Sequence, residues 1–267
     1  MQNPKLKKLE NILRKTKRLL VAYSGGCDSS FLAKFAADAL GRENVITVTA
    51  TSPTYTKAEL RDSKKLAKKI GIRHIVIRTS EIGSIDFNKN PYNRCYFCKK
   101  ELFKRLRQIA KRHNIRHIAD GSNLDDLRDY RPGSKAKKEF GIISPLQEAK
   151  LTKEEIRQLS KKAGLGTWNK PALACLASRI PYGEKIMKDK LRLIEKAEEY
   201  LTKLGLKQVR VRLHKDIARI EVPRADINRL NNERLRSKIA KKLKTLGFSY
   251  ITLDLEGYRT GSMNEVF

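Results

Sequence analysis

The sequence predicts an α/β protein: a doubly wound, parallel-sheet domain followed by a smaller α+β domain. Three observations carry this. Apolar strand-like runs alternate with helix-period segments through the first 165 residues. The first run, Leu19-Leu20-Val21-Ala22-Tyr23, passes into a helix through Ser24-Gly25-Gly26-Cys27-Asp28-Ser29-Ser30. After Gly164-Leu165-Gly166 the rhythm changes to a charged hairpin set among helices. Alternation of this length argues a sheet covered on both faces, so residues 1–165 and 166–267 are expected as two domains.

The elements run in order from the N-terminus. Leu6, Leu9, Ile12 and Leu13 give residues 1–17 the stripe of an amphipathic helix. The first strand leads through the glycine turn to a helix carrying Phe31, Leu32, Phe35, Ala36 and Leu40 on one face. Val45 to Ala50 reads as the second strand, ended by Ser52-Pro53, and residues 56–70 as a helix with Leu60, Leu66, Ala67 and Ile70 inward. Ile75-Val76-Ile77 is a third strand. An irregular stretch then ends at Cys95-Tyr96-Phe97-Cys98, just before a helix expected over 99–113. Ile115 to Ala119 is a fourth strand, 124–141 a polar loop, and Ile142-Ile143 a fifth strand. Thr152 and Glu155 form a capping-box pattern for a helix reaching Ala163. In the second domain, residues 184–204 read as a helix stopped by Gly205, 231–246 as another, and 250–255 as a last strand.

Composition sets the bounds. The chain has 267 residues and 40% apolar content, enough for real cores. No apolar run approaches the eighteen residues of a membrane span. The start, MQNPKLKKLENILRKTKR, lacks the apolar segment of a secretory signal, so a cytoplasmic location is expected. Net charge is +30, which fits either a polyanionic partner or a general preference for lysine of the kind some thermophiles show. The basic residues are spread along the chain rather than gathered in one tract.

The glycine turn is the chemical centre. Two glycines let the backbone approach a ligand closely, and a helix N-terminus offers unpaired N–H groups to an anion. Hydroxyls at Ser24, Ser29 and Ser30 add donors. The pattern lacks the lysine of a Walker A loop and matches SGGxDS, the pyrophosphate loop of PP-loop ATPases, which cleave ATP between the α and β phosphates. Ligands of such sheets sit at the strands' carboxyl ends. Ala50-Thr51-Ser52 and Gly121-Ser122-Asn123 also end strands, so the three segments outline one nucleotide crevice; plain turn chemistry is the rival for the latter two.

Two further constellations stand out. Val209 to Leu213 and Ala218 to Val222 alternate as a hairpin around 214–217, placing Arg210, Arg212, Arg219 and Glu221 on one face. Arg212 then faces Arg219 and Arg210 faces Glu221. Like charges directly opposite destabilise a strand pair by ~0.2–1 kcal/mol, and a phosphate between them would reverse that sign. A solvated face is the plain alternative. Cys95, Cys98 and Cys175 could hold zinc with an outside ligand, or a [4Fe–4S] cluster by three irons; a two-cysteine redox pair is the third reading. Cys27 occupies the variable position of its motif and reads as packing.

SGGCDSS, ATSPTYTKAEL, NRCYFCK, DGSNLDD, Trp168-Asn169-Lys170-Pro171 through CLASRIPYG, VRVR, ARIEV and LDLEGYRTGSMN together resemble the LarE family of ATP-dependent sulfur insertases, over nearly the whole chain. The resemblance implies adenylation of a carboxylate of pyridinium-3,5-biscarboxylic acid mononucleotide, a precursor of the nickel-pincer cofactor, followed by displacement of AMP by sulfur. In one branch of the family a single cysteine, matching Cys175, surrenders its own sulfur. In the other, three cysteines hold a [4Fe–4S] cluster, and the presence of Cys95 and Cys98 fits that branch. The resemblance further implies that Ser24, Gly25, Gly26, Asp28 and Ser29 hold ATP, with Asp28 near Mg²⁺. It implies that Arg210 and Arg212 hold the substrate phosphate and that Ser178 and Arg179 touch substrate. Glu221 and Glu198 match acidic positions near a metal or phosphate. A homo-oligomer is implied too, hexameric in some members.

The rival reading is a PP-loop tRNA thiolase with a [4Fe–4S] cluster, which the charge favours. Against it, no flanking zinc-ribbon cysteines and no recognisable RNA-binding module are present. An amidating synthetase would need an ammonia source, and no glutaminase signature is found. A nucleotide sensor would bind ATP without releasing pyrophosphate.

Overall fold

The structure is a computed structural model that describes residues 3–127, 131–171, 174–259 and 261–265. Ala172, Leu173 and Thr260, which fall in the motifs above, lie outside the described residues, as do residues 128–130 of the stretch expected as loop. The chain packs as two compact units, Met1–Glu81 with Asn93–Leu173, and Ile82–Tyr92 with Ala174–Phe267.

In the first unit, α1 (Pro4–Arg14) starts where the Asn3 side chain accepts from Lys5 N–H, and it buries Leu9 and Leu13. Next come β1 (Leu19–Ala22), α2 (Cys27–Leu40), β2 (Val45–Thr51), α3 (Lys57–Ile70) and β3 (Arg73–Arg78). A capping box between Thr56 and Glu59 opens α3, and Gly71 closes it in the left-handed conformation. After α4 (Ile85–Asn88), which belongs to the second unit, come α5 (Arg94–Arg112), β4 (His117–Ala119), α6 (Gly133–Glu139), α7 (Pro145–Glu148) and α8 (Lys153–Lys162).

The strands form a sheet of order β3-β2-β1-β4, every pairing parallel. Both faces of β1 are buried, as a doubly wound sheet requires. Leu19 and Val21 pack with Leu9, Leu32, Ala67 and Ile156 on one side. Leu20 packs with Ile46, Phe103, Leu106 and Ile118 on the other. The chain order reverses at β1, so the crevice at its carboxyl end lies beside β4.

Three expectations are corrected. The cysteine pair is not in a loop: α5 begins at Arg94, so Cys95 and Cys98 are its second and fifth residues. The residues expected as loop contain α6, which buries Ala136 against the Phe103 core. Ile142-Ile143 is not a strand but a single parallel bridge, Ala119↔Ile143, because Pro145 starts α7 immediately after Ser144.

In the second unit, α9 (Lys188–Lys203) buries Leu191, Ile194, Ala197 and Leu201, and Gly205 sits just beyond it at φ +91°. The hairpin pairs β5 (Arg210–His214) with β6 (Ile217–Glu221) in the expected register, Arg210↔Glu221 and Arg212↔Arg219. It turns on Lys215-Asp216 alone, with Lys215 at φ +56°. From β6 the chain runs through α10 (Arg224–Ile227) and α11 (Glu233–Leu246) to β7 (Tyr250–Leu253), which pairs parallel to β6 and completes the order β5-β6-β7. The excursion Ile82–Tyr92 is tied in by Asn90, whose side chain donates to the Ile180 and Pro181 carbonyls at 3.3 and 2.7 Å.

Candidate active site

The pyrophosphate loop joins β1 to α2. Gly25 sits at φ +70°, and a Cβ there would meet the Ser63 Cβ of α3 at 2.9 Å. Gly26 caps α2 without any side-chain bond, leaving the helix N-terminus open to an anion. Within the loop the hydroxyls bond one another: Ser24 Oγ and Ser29 Oγ lie 3.1 Å apart, and Gly26 N–H donates to Ser24 Oγ at 3.3 Å. Ser30 is instead fully buried, its hydroxyl donating to Tyr23 Oη. Burial pushes the Tyr23 phenol up to about 12. Cys27 is buried beside Ser160 Oγ at 3.5 Å, a packing position as expected, and burial raises its thiol.

The segment after β4 closes against this loop. A Cβ on Gly121 would lie 2.9 Å from Ser29 N, so only glycine fits. Asp120, just past β4, organises the turn: it accepts from Ser144 Oγ at 2.7 Å, Ser122 Oγ at 2.7 Å and Ser122 N–H at 3.2 Å. Lys137 of α6 donates to Ser144 Oγ at 2.9 Å and stands 3.8 Å from Asp120. Ala50 lies in β2 one residue from its end, and beyond it Ser52 and Thr54 both donate to the buried carboxylate of Glu81. Tyr55 Oη donates to Ser24 O at 2.7 Å, tying this segment to the glycine loop. Asp120, Lys137, Ser144, Glu81 and Tyr55 were not singled out from the sequence. Asp120 and Tyr55 stood within quoted motifs, but only the fold shows what they touch.

Asp28 lies in the first turn of α2. One oxygen is 2.5 Å from Lys153 Nζ, and the other is buried and accepts no hydrogen bond. A buried carboxylate oxygen beside a phosphate cradle fits an oxygen-seeking cation such as Mg²⁺.

The second unit presents Cys175 on a short turn, Leu176–Arg179. Arg179 holds that turn: Nη1 donates to the carbonyls of Ala174 and Cys175 at 2.5 and 2.9 Å, and Nε and Nη2 pair with Glu198 at 2.9 and 3.0 Å. Glu198 also accepts from Val211 N–H at 3.0 Å, joining the turn to β5. Ser178 Oγ donates to Cys175 O, and Arg212 Nη1 to Ser178 O. The backbone of the turn is therefore fixed while Cys175 itself is exposed.

On the hairpin face, Arg212 grips the fully buried Glu221 with two bonds, 2.9 and 2.7 Å, and Arg219 donates to the same carboxylate at 3.2 Å. The repulsion expected between Arg212 and Arg219 is thus met from within by Glu221. Stability of the hairpin requires no phosphate, and a phosphate role for the face stands on the family resemblance. Arg210 lies over the Tyr258 ring at 5.4 Å and donates to Val209 O; burial, then the charge of Arg179, lower its guanidinium.

Cys95 is exposed and Cys98 half-buried, three positions apart in one helical turn. Their chemistry suits two adjacent ligands of a cluster. Cys175 would supply a third thiolate, but it belongs to the other unit. Among the described residues, neither unit by itself gathers three His, Cys, Asp or Glu side chains as a metal-ligand set. No described helix is long and apolar enough to cross a membrane.

A parallel sheet of this order, with this loop at the end of β1, defines a PP-loop nucleotide-binding protein. Residues 5–116 match the family described as NAD synthase. The chain is 45% identical over 266 residues to an uncharacterized protein of Synechocystis sp., covering 100% of this chain and 99% of the relative. It is 40% identical over 253 residues to the pyridinium-3,5-bisthiocarboxylic acid mononucleotide synthase of Lactiplantibacillus plantarum, covering 95% and 91%. An uncharacterized protein of Methanocaldococcus jannaschii is 33% identical over 259 residues, covering 96% and 98%. The chain belongs to the LarE family, that of the Lactiplantibacillus synthase.

Proposed function

We propose that the protein is an ATP-dependent sulfurtransferase acting on pyridinium-3,5-biscarboxylic acid mononucleotide in nickel-pincer cofactor synthesis. The observation that carries this reading is the pyrophosphate loop of a chain that matches a bisthiocarboxylic acid mononucleotide synthase along nearly all its length. Carboxylate oxygen is a poor leaving group. Attack of that oxygen on the α phosphorus of ATP breaks the bond to pyrophosphate and leaves an acyl adenylate; sulfur then displaces AMP.

Ser24, Gly25, Gly26 and Ser29 hold the phosphates, with Gly121 and Ser122 closing the crevice and Ala50 at its rim. Asp28 would hold Mg²⁺, which neutralises charge on the departing pyrophosphate. Arg210 and Arg212 orient the substrate phosphate, Arg179 and Ser178 keep the Cys175 turn in place, and Glu221 keeps Arg212 aimed through its two hydrogen bonds. Cys95, Cys98 and Cys175 are the proposed thiolates of a [4Fe–4S] cluster, which would supply an open iron able to bind sulfide. The proposal includes a cytoplasmic location and a homo-oligomer.

The test is anaerobic. Purified protein should carry about four irons per chain and lose them in Cys95→Ala. With ATP and the mononucleotide it should yield a thiocarboxylate seen by mass spectrometry. Zinc in place of iron would reject the cluster, and an unmodified nucleotide would reject the substrate. The net charge of +30 favours the tRNA thiolase reading, which a salt-sensitive tRNA shift together with thiolated tRNA product would establish instead.

A further inference from the structure

The edge of an open sheet offers unpaired backbone N–H and C=O groups, and proteins blunt such edges with charged residues, proline, bulges or a covering element. Three of the four sheet edges are guarded. β3 begins and ends with the exposed Arg73 and Arg78. β4 is bridged through Ala119 to Ile143. At β5, Glu198 of α9 accepts from Val211 N–H at 3.0 Å. The fourth edge is the outer side of β7, and among the described residues no strand pairs with it.

This edge carries no guard. From Thr245 to Tyr258 fourteen residues pass without a lysine or arginine, although these two make up 59 of the 267. Runs as long at 19–33 and 43–56 belong to the inner strands β1 and β2 and the segments that follow or precede them. Here the run comes to the surface: Tyr250 is 65% exposed and Leu255 84%. Its two carboxylates are already met, Asp254 by Arg219 and Arg259, each at 3.6 Å, and Glu256 by Arg259 at 2.9 Å. What remains is an apolar, unpaired edge without positive charge, on a chain of net charge +30.

We propose that the outer edge of β7 joins two copies of this chain, strand to strand and antiparallel across a two-fold axis. Charge selects the occupant. Two copies at +30 repel each other, and they approach closely only through a surface free of positive charge. An acidic partner is drawn instead to lysine-rich helix faces such as those of α3 and α11, and between 245 and 258 it meets no lysine or arginine. Pairing of like edges satisfies the backbone groups of both strands and removes Tyr250 and Leu255 of both copies from water. The proposal rests on the homo-oligomer of the reading above and says where one of its contacts lies.

The first test is sedimentation velocity of wild type, of the double variant Tyr250→Lys, Leu255→Lys, and of Ile85→Lys, which charges an exposed apolar residue elsewhere. Wild type should sediment as an oligomer. The double variant should need about tenfold more protein, or higher still, to reach the same species. Ile85→Lys should match wild type. The second test needs no substitution: hydrogen exchange of wild type at high and low protein concentration. Amides of 250–253 should exchange about tenfold more slowly in the concentrated sample, and those of β5 alike in both. A double variant that assembles as wild type does, an equal loss in Ile85→Lys, or edge amides indifferent to concentration would each overturn the proposal. Wild type that is monomeric at every concentration would reject the homo-oligomer along with it. ATP cleavage and sulfur transfer are read by separate assays and stand or fall apart from these results.

Discussion

Arg212 and Glu221 form a two-point ion pair across the hairpin, at 2.9 and 2.7 Å, with Glu221 wholly removed from solvent. Glu221 also accepts from Ser262 Oγ at 3.1 Å, so the segment after β7 seals the pair. Breaking such a pair strands a buried charge, at a cost of about 3–5 kcal/mol. Glu221→Ala should therefore lower unfolding free energy in urea by about that amount. The double variant Arg212→Met, Glu221→Leu should lose less than Glu221→Ala alone. Equal losses would mean that the charges are not coupled.

Gly121 tests the closure of the nucleotide crevice. A methyl group there must displace Ser29 backbone at the start of α2. Gly121→Ala should weaken ATP binding by about tenfold or more, ~1.4 kcal/mol, measured by calorimetry. Gly166→Ala, where a Cβ meets nothing within 4 Å, serves as the control and should bind ATP as wild type does.

His74 should make stability acid-sensitive. Burial, then the charge of Lys64, lower its imidazole from the ordinary 6.5. The ring lies edge-on to Tyr23, and Nε2 is 2.8 Å from Thr49 Oγ1. A lowered value means that the folded state disfavours the proton. The contribution is thus present above the ordinary histidine range and is lost as pH falls through the lowered value. Urea midpoints should fall from pH 8 toward pH 5, and less so in His74→Gln. A parallel decline in both proteins would assign the sensitivity to other groups.

Much of the scaffold was legible because its signals are local. The Thr152–Glu155 capping box, the alternation that set the Arg212↔Arg219 register, and the glycine turn after β1 each need only neighbouring residues. The features that were missed are non-local or weakly signalled. The start of α5 has no capping side-chain bond at Asn93, so nothing in the sequence moved the helix ahead of its cysteines. The sequence of α6, GSKAKKE, shows no apolar stripe, and its one buried residue is Ala136. Ile82–Tyr92 joins the second unit through Asn90 reaching carbonyls ninety positions away, a pairing that no periodicity announces. In the site, Glu81, Lys137 and Lys153 are ordinary surface-type residues by sequence; only the fold brings them to the strand ends.

The most direct measurement is pyrophosphate–ATP exchange by wild-type protein under anaerobic conditions, with and without pyridinium-3,5-biscarboxylic acid mononucleotide. Label should enter ATP only when the mononucleotide is present, and Asp28→Asn should abolish it. Label entering ATP equally without the mononucleotide, or none entering with it, would contradict an enzyme that activates this substrate's carboxylate by adenylation.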